Sequence, residues 1–229
     1  MGNRIFSLYV KLDNPTEFKI DDIANSLLKG KVTDQEDNSR SRTEDLINVI
    51  YSEYGIEFSN SYLANGVLWF KNKAIIDSFY AYFNRPTTIF IFWNSDFDCS
   101  AGFSLIKNGK IVRHRYYFPR DNVNLSEDYG IHGEEEKEFY DWLIKEGGVD
   151  GDEYDGEADL MKGKIYPTNQ TYYYNYTGNY LVNLVMKKHL GFTMFDYPPN
   201  FYKENFTVKL SKTVYELFDV YHDVNTFNL

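Results

Sequence analysis

The residues best suited to chemistry lie in the stretch IFWNSDFDCSAGF, which runs from Ile91 to Phe103. Asp96 and Asp98 are two positions apart, and residues at that spacing on a strand point to the same side of the sheet. Two such carboxylates could hold a metal ion or act as general acid and base, and Cys99 could act as a nucleophile. The stretch also fits a turn, because Asn, Ser and Asp form turns through side-chain hydrogen bonds and strand patterns flank it. The sequence favours the turn.

Catalysis by Cys99, the single cysteine of the chain, would need a base beside the thiol. The nearest candidate is His114, but the strand pattern places it opposite Phe103 on an apolar face, where a lone histidine is usually a core residue. The sequence contains no P-loop, dinucleotide-binding, nucleophile-elbow or HExxH motif. We therefore assign no catalytic residue, no metal site and no cofactor. An enzyme with a site near Asp96, Asp98 and Cys99 remains the alternative.

Acidic residues are concentrated in one segment, from Glu127 to Asp159. The segment holds fourteen acids and two bases, a net charge of -12, whereas the whole chain carries -10 and the remainder therefore +2. Such a field repels nucleic acid and anionic lipid and attracts a cationic partner. The sequence therefore predicts a basic protein as the partner, with no binding of nucleic acid or membrane. It gives no indication of the oligomeric state.

Part of this segment is similar to a calcium-binding loop that begins at Asp150. The EF-hand template requires Gly at the sixth position and Glu at the twelfth, where this chain has Asp155 and Met161. A solvated acidic loop is the better interpretation.

Tyrosines form a second cluster, with six of them between Tyr166 and Tyr180. Aromatic rings stack on sugars, so a carbohydrate binder is a further alternative. Tyrosine is also enriched at protein interfaces, which makes the cluster a candidate anchor for a protein partner. Acidic and tyrosine residues together make up the predicted partner-binding set: Glu134, Glu135, Glu138, Asp141, Asp150, Asp152, Asp155, Tyr172 and Tyr174.

Strand patterns predict the sheet that would position these residues. Alternation from Arg4 to Leu12 predicts a strand with one buried face, and the apolar run Thr87–Trp93 predicts a central strand covered on both faces. Asn108-Gly109, between two alternating runs, predicts a hairpin in which both turn residues take positive φ. Further strand patterns lie at Gly66–Phe70, Lys164–Tyr176 (a strand or hairpin) and Phe206–Leu210.

Apolar residues at helical spacing predict the remaining elements. The predicted helices cover residues 20–28, 43–54, 75–83, 134–145, 180–190 and 214–221. With no repeat and no linker, the sequence predicts a single α+β domain over residues 1–229, with helices packed on a mixed or antiparallel central sheet. The acidic helix and loop 127–159 would form a surface segment. The chain has no run of about 18 apolar residues and no N-terminal signal core, so we predict a cytoplasmic protein.

The run WNSDFDCSAGFSLIKNGKIVRHRYYF, then an acidic helix, then LVNLVMKKHLGF, resembles the immunity-type proteins encoded in bacterial toxin–antitoxin and contact-competition loci. The resemblance covers the region from Ile89 to Phe192 and transfers no residue-level motif. It implies a small acidic inhibitor that occludes a cognate toxin, often a cationic one. Inhibition of that kind is steric and electrostatic, and it needs no catalytic residue.

Overall fold

The computed structural model describes residues 4–33, 44–68, 72–84, 88–95, 100–117, 127–137, 162–164, 171–173, 177–193 and 202–218. Within these ranges eleven strands are seen. They are β1 (Arg4–Lys11), β2 (Gly30–Thr33), β3 (Leu46–Ser52), β4 (Gly55–Ser59), β5 (Thr88–Ser95), β6 (Ser100–Lys107), β7 (Lys110–Tyr117), β8 (Glu127–Gly130), β9 (Lys162–Lys164), β10 (Thr171–Tyr173) and β11 (Tyr202–Leu210).

The helical elements lie between these strands. A short 3-10 turn covers Pro15–Glu17, residues 134–137 are helical, and α1 (Ile20–Asp22) continues as a π-helical stretch, Ile23–Leu27. The remaining helices are α2 (Ser61–Leu68), α3 (Lys73–Phe83), α4 (Thr177–Leu190) and α5 (Val214–Phe218).

Nine strands form one antiparallel sheet in the order β2-β11-β3-β4-β1-β5-β6-β7-β8, and β9 pairs with β10 in a separate hairpin. The α+β class, the interior position of β5 and the hairpin at Asn108-Gly109 are confirmed. The chain divides into two compact units. One comprises Met1–Arg4, Trp93–Phe103 and Val112–Tyr197, and the other comprises Ile5–Phe92, Ser104–Ile111 and Pro198–Leu229. The single-domain organisation stays a prediction.

Across β2, β11, β3, β4 and β1, one sheet face is apolar and the other is mainly polar. On the apolar face the Phe58 ring makes edge contacts with Phe79 and Phe83 of α3, at centroid distances of 4.9 and 6.2 Å. On the other face, a row of small polar residues in register crosses five neighbouring strands: Thr33, Thr207, Asn48, Ser59 and Ser7.

The polar face is buried where it crosses β1, so the prediction of one buried face for that strand was wrong. Ser7 and Tyr9 are fully buried, as are their apolar neighbours Leu8 and Val10. The hydroxyls of Ser7 and Tyr9 are both hydrogen-bonded. The Ser7 hydroxyl donates to the Glu57 carboxylate at 2.5 Å, and the Tyr9 and Ser52 hydroxyls are 2.7 Å apart. Hydrogen bonding of this kind is what allows polar side chains to be buried.

Two elements have a different secondary structure from the one predicted: a predicted helix is a strand, and a predicted strand is part of a helix. Residues 43–54 were predicted as a helix, but Leu46–Ser52 within this range form β3. Because β3 is buried on both faces, its apolar residues run almost continuously, and such a run also fits helical spacing. Residues 66–70 were predicted as a strand, whereas Gly66 to Leu68 belong to α2, which Asn60 caps by accepting a hydrogen bond from the Leu63 N–H at 2.8 Å.

The Asn108-Gly109 turn gives a first test of the fold. Both residues have positive φ, +51° and +69°, and only glycine occupies this region without steric cost. We expect Gly109→Ala to lower the free energy of unfolding by about 1–2 kcal/mol, measured by urea denaturation. Asn108→Gly is the matched control and should leave stability nearly unchanged. Equal stability of the Gly109→Ala variant and the wild type would contradict the turn geometry.

Tyr51 gives a second test, through the pH dependence of stability. Its hydroxyl donates to the Phe18 carbonyl at 2.6 Å. Burial, and then the neighbouring Tyr82, Glu204 and Asp22, raise the pKa of Tyr51 above its ordinary value of 10.0. The neutral phenol is therefore favoured in the folded state.

The stability that Tyr51 contributes is fully present below pH 10 and is lost as the pH rises from there toward the folded pKa. We expect the urea midpoint of the wild type to fall more steeply above pH 10 than that of Tyr51→Phe. Parallel pH profiles would show that Tyr51 has no part in this dependence.

Candidate protein-docking site

A buried ion pair joins β7 to the helical residues 134–137. Arg113 of β7 and Glu136 have side chains only 2% and 1% exposed. The Arg113 Nε lies 3.0 and 2.9 Å from the two Glu136 carboxylate oxygens, and Nη2 lies 2.7 Å from Oε2. This two-pronged arrangement is the geometry in which guanidinium and carboxylate bind best.

The remaining polar atoms of the pair are bonded to backbone. Arg113 Nη1 donates to the carbonyl oxygens of His114 and Tyr129, at 2.7 and 3.0 Å. Glu136 Oε1 accepts from the Gly133 N–H at 3.1 Å, and the Glu136 N–H donates to the Gly133 carbonyl at 3.0 Å. The ion pair therefore fixes three pieces of chain relative to one another: β7, β8 and the first turn of the acidic helix.

β8 lies at the end of the sheet and pairs with β7 only, among the described strands. The His114 and Tyr129 rings are stacked at 4.7 Å, and His114 is fully buried, as the strand pattern predicted. Gly130 has a φ of +102°, and a Cβ there would lie 2.4 Å from the Val112 carbonyl oxygen. A residue with a side chain would not fit at this point, where the chain leaves β8.

Beyond Gly130 the chain presents an exposed surface. The Ile131 N–H donates to the Val112 carbonyl at 3.2 Å, yet its side chain is 85% exposed. Tyr129 is partly exposed, and His132 and Glu134 are exposed. We call residues Tyr129 to Glu134 the docking edge.

The predicted partner-binding residues meet different fates. Glu134 is exposed, and Glu135 lies against His189 of α4, with Oε1 3.3 Å from Nε2. Tyr172 lies in β10, opposite Gly163 of β9. The remaining predicted residues lie outside the described ranges: Glu138, Asp141, Asp150, Asp152, Asp155 and Tyr174.

Three residues of the site, Arg113, Ile131 and Glu136, were not identified as such from the sequence. Glu136 was grouped with the surface acids but is buried, and no pattern identifies Arg113, twenty-three positions away, as its partner. Ile131 has a recognisable signal, because it is a single large apolar residue between Gly130 and Gly133 in an acidic segment.

The alternative site at Asp96, Asp98 and Cys99 lies outside the described residues. Asn94, just before it on β5, is buried, and its Oδ1 has no hydrogen-bond partner among the described residues. In the ranges that the structure describes, no group of three His, Cys, Asp or Glu side chains could hold a metal ion.

Comparison with known proteins gives no relative: no family model, no curated protein and no solved structure matches the chain. Within the described ranges, no helix is long and apolar enough to cross a membrane.

Because of the ion pair, we expect Glu136 to contribute far more than Glu134 to the free energy of unfolding. Glu136→Gln leaves the buried Arg113 charge uncompensated and should lower the free energy of unfolding by about 3–5 kcal/mol. Glu134→Gln, an exposed control, should change it by less than about 0.5 kcal/mol. Both are measured by urea denaturation at neutral pH.

The double variant Arg113→Met with Glu136→Leu removes both charges together. Because apolar residues of similar size often replace a buried pair without loss, it should recover much of the stability lost in Glu136→Gln. A Glu136→Gln variant as stable as Glu134→Gln would show that the pair does not hold the segment in place.

Proposed function

We propose that the chain is a non-enzymatic protein-binding module that docks a basic protein through its acidic segment and docking edge. The observation that carries the proposal is the placement of charge. The segment from Glu127 to Asp159 has a net charge of -12, and a fully hydrogen-bonded ion pair ties its described start to the sheet. A concentrated field of one sign steers an oppositely charged partner and raises its rate of association.

The described acids of the segment support the proposal because they have two different roles. Glu136 is buried and neutralises Arg113, so it stabilises the fold and does not add to the negative charge at the surface. Glu134 is exposed two residues away. One acid thus anchors the segment while another faces the solvent, where a partner could meet it.

The resemblance to immunity-type proteins favours a toxin as the partner, and a cytoplasmic location belongs to the same proposal. Such an inhibitor works by covering its target, so it needs complementary shape and charge and no chemistry of its own. An acidic surface suits a toxin that is itself cationic.

The first experiment compares three tagged baits in lysate of the source cells. The first is the wild type. The second carries four neutralised acids of the segment: Glu134→Gln, Asp150→Asn, Asp152→Asn and Asp155→Asn. The third is a charge-matched control with four exposed acids neutralised elsewhere: Asp13→Asn, Asp21→Asn, Glu53→Gln and Glu204→Gln.

We expect the wild type and the control to retain the same basic protein at about 0.05 M salt and to release it at about 0.5 M. The segment variant should retain at least about tenfold less, because charge-driven association depends on the neutralised acids. Mass spectrometry identifies the retained protein. Equal retention by the two neutralised baits, or no specific basic protein with any bait, would overturn the proposal.

A further inference from the structure

We infer that Ile131 is the apolar anchor of the docking edge and that the partner receives it in an apolar pocket rimmed by Lys or Arg. The inference rests on the proposed function and adds the chemistry of the contact. The occupant of the docking edge is then a basic protein with such a pocket.

Ile131 differs from the other exposed large apolar residues of the described chain. Its side chain is 85% exposed, compared with 37% for Val32, 39% for Tyr129 and 41% for Tyr54. A single exposed apolar residue is common on a protein surface and is not by itself a binding site. What sets Ile131 apart is that the backbone on both sides of it is held in place.

The restraints on Ile131 come from three directions. Its own N–H is bonded to the Val112 carbonyl at 3.2 Å. On one side Arg113 holds the Tyr129 carbonyl, and on the other Gly133 and Glu136 bond to each other. Because the backbone here is already fixed in the free chain, binding through Ile131 costs little backbone conformational entropy, and such preorganisation favours affinity.

Charge decides which occupant fits. The anchor lies in the segment of net charge -12, three residues before the exposed Glu134. A symmetric dimer through the docking edge would bring the same acids against each other, and like charges at an interface oppose association. A partner with basic residues around an apolar pocket satisfies both the isoleucine and the acids.

The test uses the basic protein retained by the wild-type bait, purified and titrated into three forms of the chain by isothermal titration calorimetry. The forms are the wild type, Ile131→Ala, and Val32→Ala as an exposed apolar control on β2. Each titration is repeated over a range of salt concentrations, and urea denaturation confirms that each variant is folded.

We expect Ile131→Ala to raise the Kd by at least about tenfold, as burial of the lost carbons would. The slope of log Kd against log salt should stay that of the wild type, because no charge has been removed. The same slope should become shallower for the segment variant with four neutralised acids. Val32→Ala should bind as the wild type does.

The outcomes distinguish a failure of the proposed anchor from a failure of the proposed function. If the basic protein is retained but Ile131→Ala binds it as tightly as Val32→Ala, the anchor is wrong and the docking function stands. A changed salt slope for Ile131→Ala would also overturn an apolar anchor. A dimer of the chain that Ile131→Ala dissociates, seen by light scattering, would identify a second copy as the occupant. If no basic protein is retained, the anchor falls together with the function.

Discussion

The bonding of Arg113 to Glu136 is the interaction on which the docking edge depends. Moving a guanidinium and a carboxylate out of water is costly, and their attraction offsets this only where the geometry is good and the remaining polar atoms are bonded. Both conditions are met here. The carboxylate accepts hydrogen bonds from two nitrogens of the guanidinium, and backbone groups of β8 and of Gly133 bond the remaining polar atoms. The position of Ile131 follows from these bonds.

A related constraint shapes the polar face of the five strands from β2 to β1. Ser7 and Tyr9 are buried there, and their hydroxyls are hydrogen-bonded to Glu57 and Ser52. The opposite face is filled by aromatic rings such as Phe58 and Phe79. One side of these strands thus resists slippage by matching apolar shapes, and the other by matching hydrogen bonds.

A feature of this fold can be predicted from the sequence when residues close together in the chain determine it, and not when distant residues do. The Asn108-Gly109 turn is decided by two adjacent residues, and it forms as predicted. The β3 strand could not be told from a helix, because burial on both faces removes the alternation that identifies a strand. The pairing of Arg113 with Glu136 could not be predicted from the sequence, because only the folded sheet brings the two residues together. Charge alone made Glu136 look like its solvated neighbours.

The geometry of this ion pair also bears on how the surface can diverge over evolutionary time. Inherited changes at Glu134 or Ile131 meet little resistance from folding, because both side chains point into solvent. Changes at Glu136 or Gly130 are opposed, the first by a buried charge and the second by a close carbonyl oxygen. Related chains would therefore share Arg113, Gly130 and Glu136 while differing at the exposed positions Ile131 and Glu134.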